Sequence, residues 1–105
     1  MKHLKAHSSY IKLLCSKTTS PKQRKAVLST SSNDQMSIIC EIFSNVLAGV
    51  LQLNKKDMTQ LAQHAPIMRR LARRDIKPRH RHDLLVRYSQ EVAEALTLVL
   101  KYLKL

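Results

Sequence analysis

Between Arg69 and His82 the sequence reads RRLARRDIKPRHRH, which gathers Arg69, Arg70, Arg73, Arg74, Lys77, Arg79 and Arg81 around one acid, Asp75. A guanidinium group presents paired, planar N–H donors that match two oxygens of a phosphate, so an arginine-rich run of one sign suits a polyanion. A smaller basic group, Lys22, Arg24 and Lys25, lies upstream. Both sit in a chain of 105 residues with a formal net charge of +12. Such a surface repels its own copies and attracts nucleic acid, anionic membrane or acidic protein. Binding through Z phosphates would weaken with salt at a logarithmic slope of about −0.9Z. The plainer reading of the run is a solvated face that keeps the molecule soluble. KPRHRH also has the composition of a nuclear import signal.

Other side-chain chemistry is sparse. His64, His80 and His82, with Cys40, could be imagined as metal ligands, but there is no CxxC or HExxH spacing. These histidines are expected to join the phosphate-facing surface, and no metal or cofactor is expected. The acids Asp34, Glu41, Asp57, Asp75, Asp83, Glu91 and Glu94 are scattered, with Glu91 and Glu94 read as a surface pair. No glycine-rich phosphate loop or nucleophile elbow appears. The expectation is a protein that is not an enzyme. Base stacking has little support, since Tyr10, Phe43, Tyr88 and Tyr102 are the only aromatics. Residues 55–74 read as helix, break, helix, but the break is a proline rather than a glycine turn, so sequence-specific readout is not expected.

These groups must be positioned by helices. One glycine and three prolines are too few for a β-sandwich or barrel. Leu4, Tyr10, Ile11, Leu13 and Leu14 give a first helical stripe, with Lys2, Lys5 and Lys12 at other angles. Ser20 and Ser32, each followed three residues on by Gln, are capping-box starts for a second and third helix. Ala26, Val27 and Leu28 are expected inward on the second. Met36, Ile39, Ile42, Phe43, Val46 and Leu47 mark the third, widened by Ile38, Cys40 and Val50, with Gly49 suited to a left-handed C-cap or a close helix crossing. Asn54 starts a fourth helix that Pro66 interrupts, and the pattern resumes through Ile67, Met68, Leu71 and Ala72. On that stretch Arg69, Arg70, Arg73 and Arg74 would share one helical face. A last helix is expected to begin near Pro78 and run almost to the end, with Leu84, Leu85, Tyr88, Val92, Leu96, Val99 and Leu103 inward. The fold class is therefore all-α: one domain over residues 1–105, a compact bundle of five to six helices. One small core does not easily hold Leu98, Leu100, Tyr102 and Leu105 as well; they are assigned to self-association, the plainer alternative being a helix sandwiched at the centre of the bundle. Cys15 and Cys40 are read as buried thiols of a reducing compartment. No signal peptide or membrane span is visible in the pattern.

Three stretches, SPKQRKAVLSTSS, ICEIFSNVLAGVLQL and MRRLARRDIKPRHRH, follow in an order similar to that of small basic proteins predicted in adenovirus-like animal viruses and the related self-synthesising DNA transposons, the adintovirus and Maverick group. The shared features are Pro21, Gln23, Arg24, Lys25, the Asn45-Val46-Leu47 segment with Gly49, and Arg70-Leu71-Ala72, within residues 3–86. Members of that group continue past the basic run into a Gly-rich apolar tail. This chain departs from them with Glu91-Val92-Ala93-Glu94-Ala95, a helical stretch. The resemblance implies a protein encoded by a virus or transposon that acts on a DNA genome within a particle.

The expected function is non-enzymatic binding of nucleic-acid phosphates, DNA more than RNA and mostly without sequence preference, to package or organise a genome in the nucleus or virion. The rival expectation is a helical interaction module that holds an acidic or amphipathic-helix partner and carries a basic face.

Overall fold

The computed structural model describes residues 4–105. Lys2 of the first stripe lies outside them. A single 3-10 turn, Lys5–His7, leads into seven α-helices: α1 (Ser8–Cys15), α2 (Pro21–Ser29), α3 (Asn33–Leu47), α4 (Lys55–Ala62), α5 (Ala65–Leu71), α6 (Pro78–Arg87) and α7 (Ser89–Leu100). No strand occurs among the described residues.

The helix starts follow local chemistry. Ser20 and Ser32 each accept from the backbone N–H of the Gln three residues on, and each Gln side chain accepts from the cap's own N–H in return. Asn54 caps α4 by accepting from Asp57 N at 2.8 Å. These partners satisfy donors that a helix start otherwise leaves open. At the end of α3, Gly49 adopts φ 78. Its N–H reaches Val46 O at 3.1 Å and Val50 N reaches Asn45 O at 2.9 Å, the paired bonds of a Schellman motif.

The expected last helix is two. Tyr88, at φ −106 and ψ 31, breaks it between α6 and α7. No proline or glycine stands there, and the cause is tertiary. Leu84 and Leu85 of α6 enter the core where α6 meets α2 and α3, whereas Val92, Leu96 and Val99 of α7 enter it against α1, α2 and α4. A straight helix would not serve both sets of neighbours. Among the described residues the bundle therefore has seven helices rather than five or six. All seven contribute to one connected cluster of buried side chains. The radius of gyration is 12.5 Å, close to the ~13 Å of a folded chain this long, so the basic run is built into the body rather than trailing from it.

Several sequence expectations change in this packing. Ala26 faces solvent, and Leu28 supplies α2's buried contact. Val50 lies beyond α3 and is 66% exposed. Helix α7 packs against α1, α2, α4 and α6, burying Val92, Ala93, Ala95, Leu96 and Val99 while Gln90, Glu94 and Thr97 stay exposed. Leu98, Leu100 and Leu105 are half-buried against that core. Tyr102 Oη donates to Asp57 Oδ2 at 2.6 Å and accepts from Asn54 N at 3.1 Å. The side chains assigned to self-association thus pack partly within the molecule and keep part of their surface open. Cys15 and Cys40 are buried and free, and desolvation pushes both thiols above their ordinary pKa.

Candidate nucleic-acid interface

The basic run folds as the end of one helix, a turn and the start of another. Helix α5 stops at Leu71, so Arg73 and Arg74 are not on the helical face that the sequence pattern gave them. Arg69 and Arg70 occupy the last turn of α5, where positive charge favours the helix dipole. At the start of α6 the opposite holds. Lys77 is the N-cap residue, it makes no side-chain cap bond, Pro78 follows, and no acid stands in the first turn. Arg79, His80 and Arg81 instead crowd the positive end of the dipole. The N-termini of α2, α3 and α4 carry side-chain caps, whereas those of α1, α5, α6 and α7 do not. The α6 terminus leaves its donors to solvent or to an anion.

Arg70, Arg73, Lys77 and His80, with Asp75 and Ile76, line one cleft of about 230 Å³ between the end of α5 and the start of α6. Two of the cations have partners. The Arg70 guanidinium lies 6.0 Å from the Tyr88 ring centroid, a cation–π contact. Arg73 forms a two-point pair with Asp75, Nε to Oδ1 at 3.1 Å and Nη2 to Oδ2 at 2.9 Å. That pair holds the Asp75 carboxyl below its ordinary pKa and raises Arg73. The cleft can therefore offer an anion several donors from three elements, with one carboxylate already inside it.

The other candidates do not all join this cleft. Arg74 and Arg79 are exposed nearby, and no hydrogen bond or ion pair among the described residues engages their side chains. Arg69 turns to a separate apolar groove beside Met58 and Met68. Arg81 turns inward. It lies beside the Cys40 thiol, whose pKa it lowers against the larger effect of burial, and its own Nε is buried with no partner. On α2, Lys22 and Lys25 are exposed, as a surface patch requires. Arg24 is not part of that patch. It donates from Nε to Leu14 O and from Nη2 to Ser16 O, both at 2.9 Å, and from Nη1 to Gln90 Oε1 at 3.2 Å. It therefore closes the C-terminal end of α1, a structural task set by the position of α2 against α1.

The histidines also divide. His80 lines the basic cleft, and its place three residues after Lys77 at the start of α6 was the available sequence signal. His82 Nε2 donates to Ser29 O at 2.8 Å and ties α6 to the end of α2. His64 is only 5% exposed and does not face phosphate. Its Nδ1 lies 3.2 Å from Glu91 Oε1 and its Nε2 lies 3.6 Å from Glu94 Oε2. Glu91 and Glu94 are thus engaged with a buried ring from α7 rather than forming a plain surface pair. The carboxylates stand at opposite ring nitrogens, so they do not converge on a common ligand point. Among the described residues no cluster of three or more His, Cys, Asp or Glu is arranged to hold a metal ion. No helix among them is long and apolar enough to cross a membrane. Neither a family model, nor a curated protein, nor a solved structure matches the chain.

Proposed function

We propose that this protein binds nucleic-acid phosphates without catalysis and serves to package or organise DNA in a nucleus or a particle. The observation that carries this reading is the cleft where Arg70, Arg73, Lys77 and His80 meet beside an uncapped helix start. Arginine forks and open backbone donors suit the same ligand atoms, anionic phosphate oxygens. Exposed Arg74 and Arg79 extend the positive surface, and Lys22 and Lys25 add a second area. The resemblance to basic proteins of DNA viruses and transposons agrees with it. Contacts of this kind read the backbone and not the base edges, so affinity should depend little on sequence.

The test is anisotropy of a labelled DNA duplex titrated with the protein over a series of salt concentrations. Three to six phosphate contacts imply a log–log slope of about −3 to −5. Arg70→Gln and Lys77→Gln should each make the slope shallower by about 0.9. Absence of binding at low salt refutes the proposal. A strong preference for one duplex over random competitor would point instead to a regulator.

A second reading has its own support. Helices α3, α4 and α5 leave a groove of about 210 Å³ lined by Leu47, Met58, Leu61 and Met68, with Arg69 at its side. Leu47 and Met58 remain 40% and 47% exposed. Lys55 shares the helical face of Met58. Two copies at +12 each repel, so the fitting occupant is an amphipathic helix with acidic flanks. Under this reading a leucine-and-glutamate helical peptide binds the protein, and Met58→Glu abolishes that binding while leaving DNA affinity unchanged.

A further inference from the structure

We propose that Asp75 is an internal substitute for the phosphate: its carboxylate occupies the edge of Arg73 that a nucleic-acid phosphate takes, and binding exchanges one for the other. This rests on the phosphate-binding reading above. Asp75 is the only acid lining the cleft. It engages Arg73 through two oxygens on Nε and Nη2, the same paired geometry with which a guanidinium receives two phosphate oxygens.

The exchange is easy for three reasons. The Arg73 and Asp75 side chains are 67% and 70% exposed, and ion pairs so open to water hold weakly. Both residues lie in the turn between α5 and α6, so the carboxylate leaves by side-chain rotation without unwinding a helix. Meanwhile Arg70 stays against Tyr88, and Lys77 stays at the α6 N-cap. In the free protein the carboxylate also relieves repulsion among Arg70, Arg73 and Lys77. The cleft is thereby kept in order while empty, at the expense of affinity.

Removing the carboxylate should therefore tighten binding. At contact distances in a solvent-exposed site, loss of one competing charge corresponds to about three- to tenfold in affinity at low salt. Arg73 meets the phosphate in the wild-type complex as well, so the number of phosphate contacts, and with it the salt slope, should stay about the same. The experiment measures duplex DNA binding by anisotropy for the wild type, Asp75→Asn, Arg73→Ala and the double variant, with Asp75→Ser as a second test of the same position. The expected result is a gain for both Asp75 variants that disappears when Arg73 is absent. A gain of equal size in the Arg73→Ala background would show a general charge effect and overturn the exchange. So would unchanged or weaker binding by both Asp75 variants. In either case wild-type binding with the expected salt slope leaves the phosphate reading standing, whereas failure of the wild type to bind at low salt removes both.

Discussion

Replacement of Arg24 by Met separates a structural cation from a phosphate-binding one. Met keeps an unbranched apolar stem and removes the guanidinium. The wild-type group donates to Leu14 O and Ser16 O at 2.9 Å, at the end of α1 where carbonyls lack helical partners and the dipole is negative. Each of these two bonds contributes about 1–1.5 kcal/mol net. The third, to Gln90 at 3.2 Å, is exposed and adds little. The loss is therefore about 2–3 kcal/mol, out of the roughly 5–15 kcal/mol typical of a small domain. At about 4 °C per kcal/mol for a chain of this length, Tm should drop by about 8–12 °C. Thermal and urea melts followed by circular dichroism measure this directly. Lys22→Gln, an exposed change on the same helix, is the control and should stay within about 0.5 kcal/mol. DNA affinity of the folded Arg24→Met protein should remain within about twofold, because its guanidinium is already committed to carbonyls. An unchanged Tm together with a large loss of DNA affinity would refute this reasoning and return Arg24 to the interface.

Acid should act through Asp57, whose carboxyl accepts from Lys101 Nζ at 2.8 Å and Tyr102 Oη at 2.6 Å and is held below its ordinary value of 3.8. Its stabilising contribution is complete above that value and is lost as pH falls through the lower folded-state pKa, because the unfolded chain takes up the proton first. Melts across the acid range should show the gap between wild type and Asp57→Asn narrowing as pH drops below about 4, and a constant gap contradicts the assignment. Gly49→Ala should cost about 1–2 kcal/mol through backbone strain at φ 78 alone, since an added Cβ meets no atom within 4 Å. Gly49→Asn should cost less in the same urea melts, and equal losses for the two would argue against a left-handed requirement.

Local features of this fold were legible in the residues themselves. The all-helical class followed from apolar steps of three and four, and helix starts followed from Ser20, Ser32 and Asn54, whose side chains reach only three residues along the chain. Gly49 was readable for the same reason, because its conformation is set by its own missing Cβ. The concentration of charge at Arg69–Arg81 was plain, but the direction of each side chain was not. Arg24 meets the end of another helix, Arg81 meets Cys40, and His64 meets two glutamates 27 and 30 residues away in sequence. The break at Tyr88 and the burial around α7 likewise arise from what lies opposite. Periodicity records which face of a helix is apolar, and capping records where it begins. Which neighbour covers that face, and whether a cation finds a carbonyl, a thiol or open solvent, is settled only when distant segments pack, since those contacts have no fixed spacing along the chain.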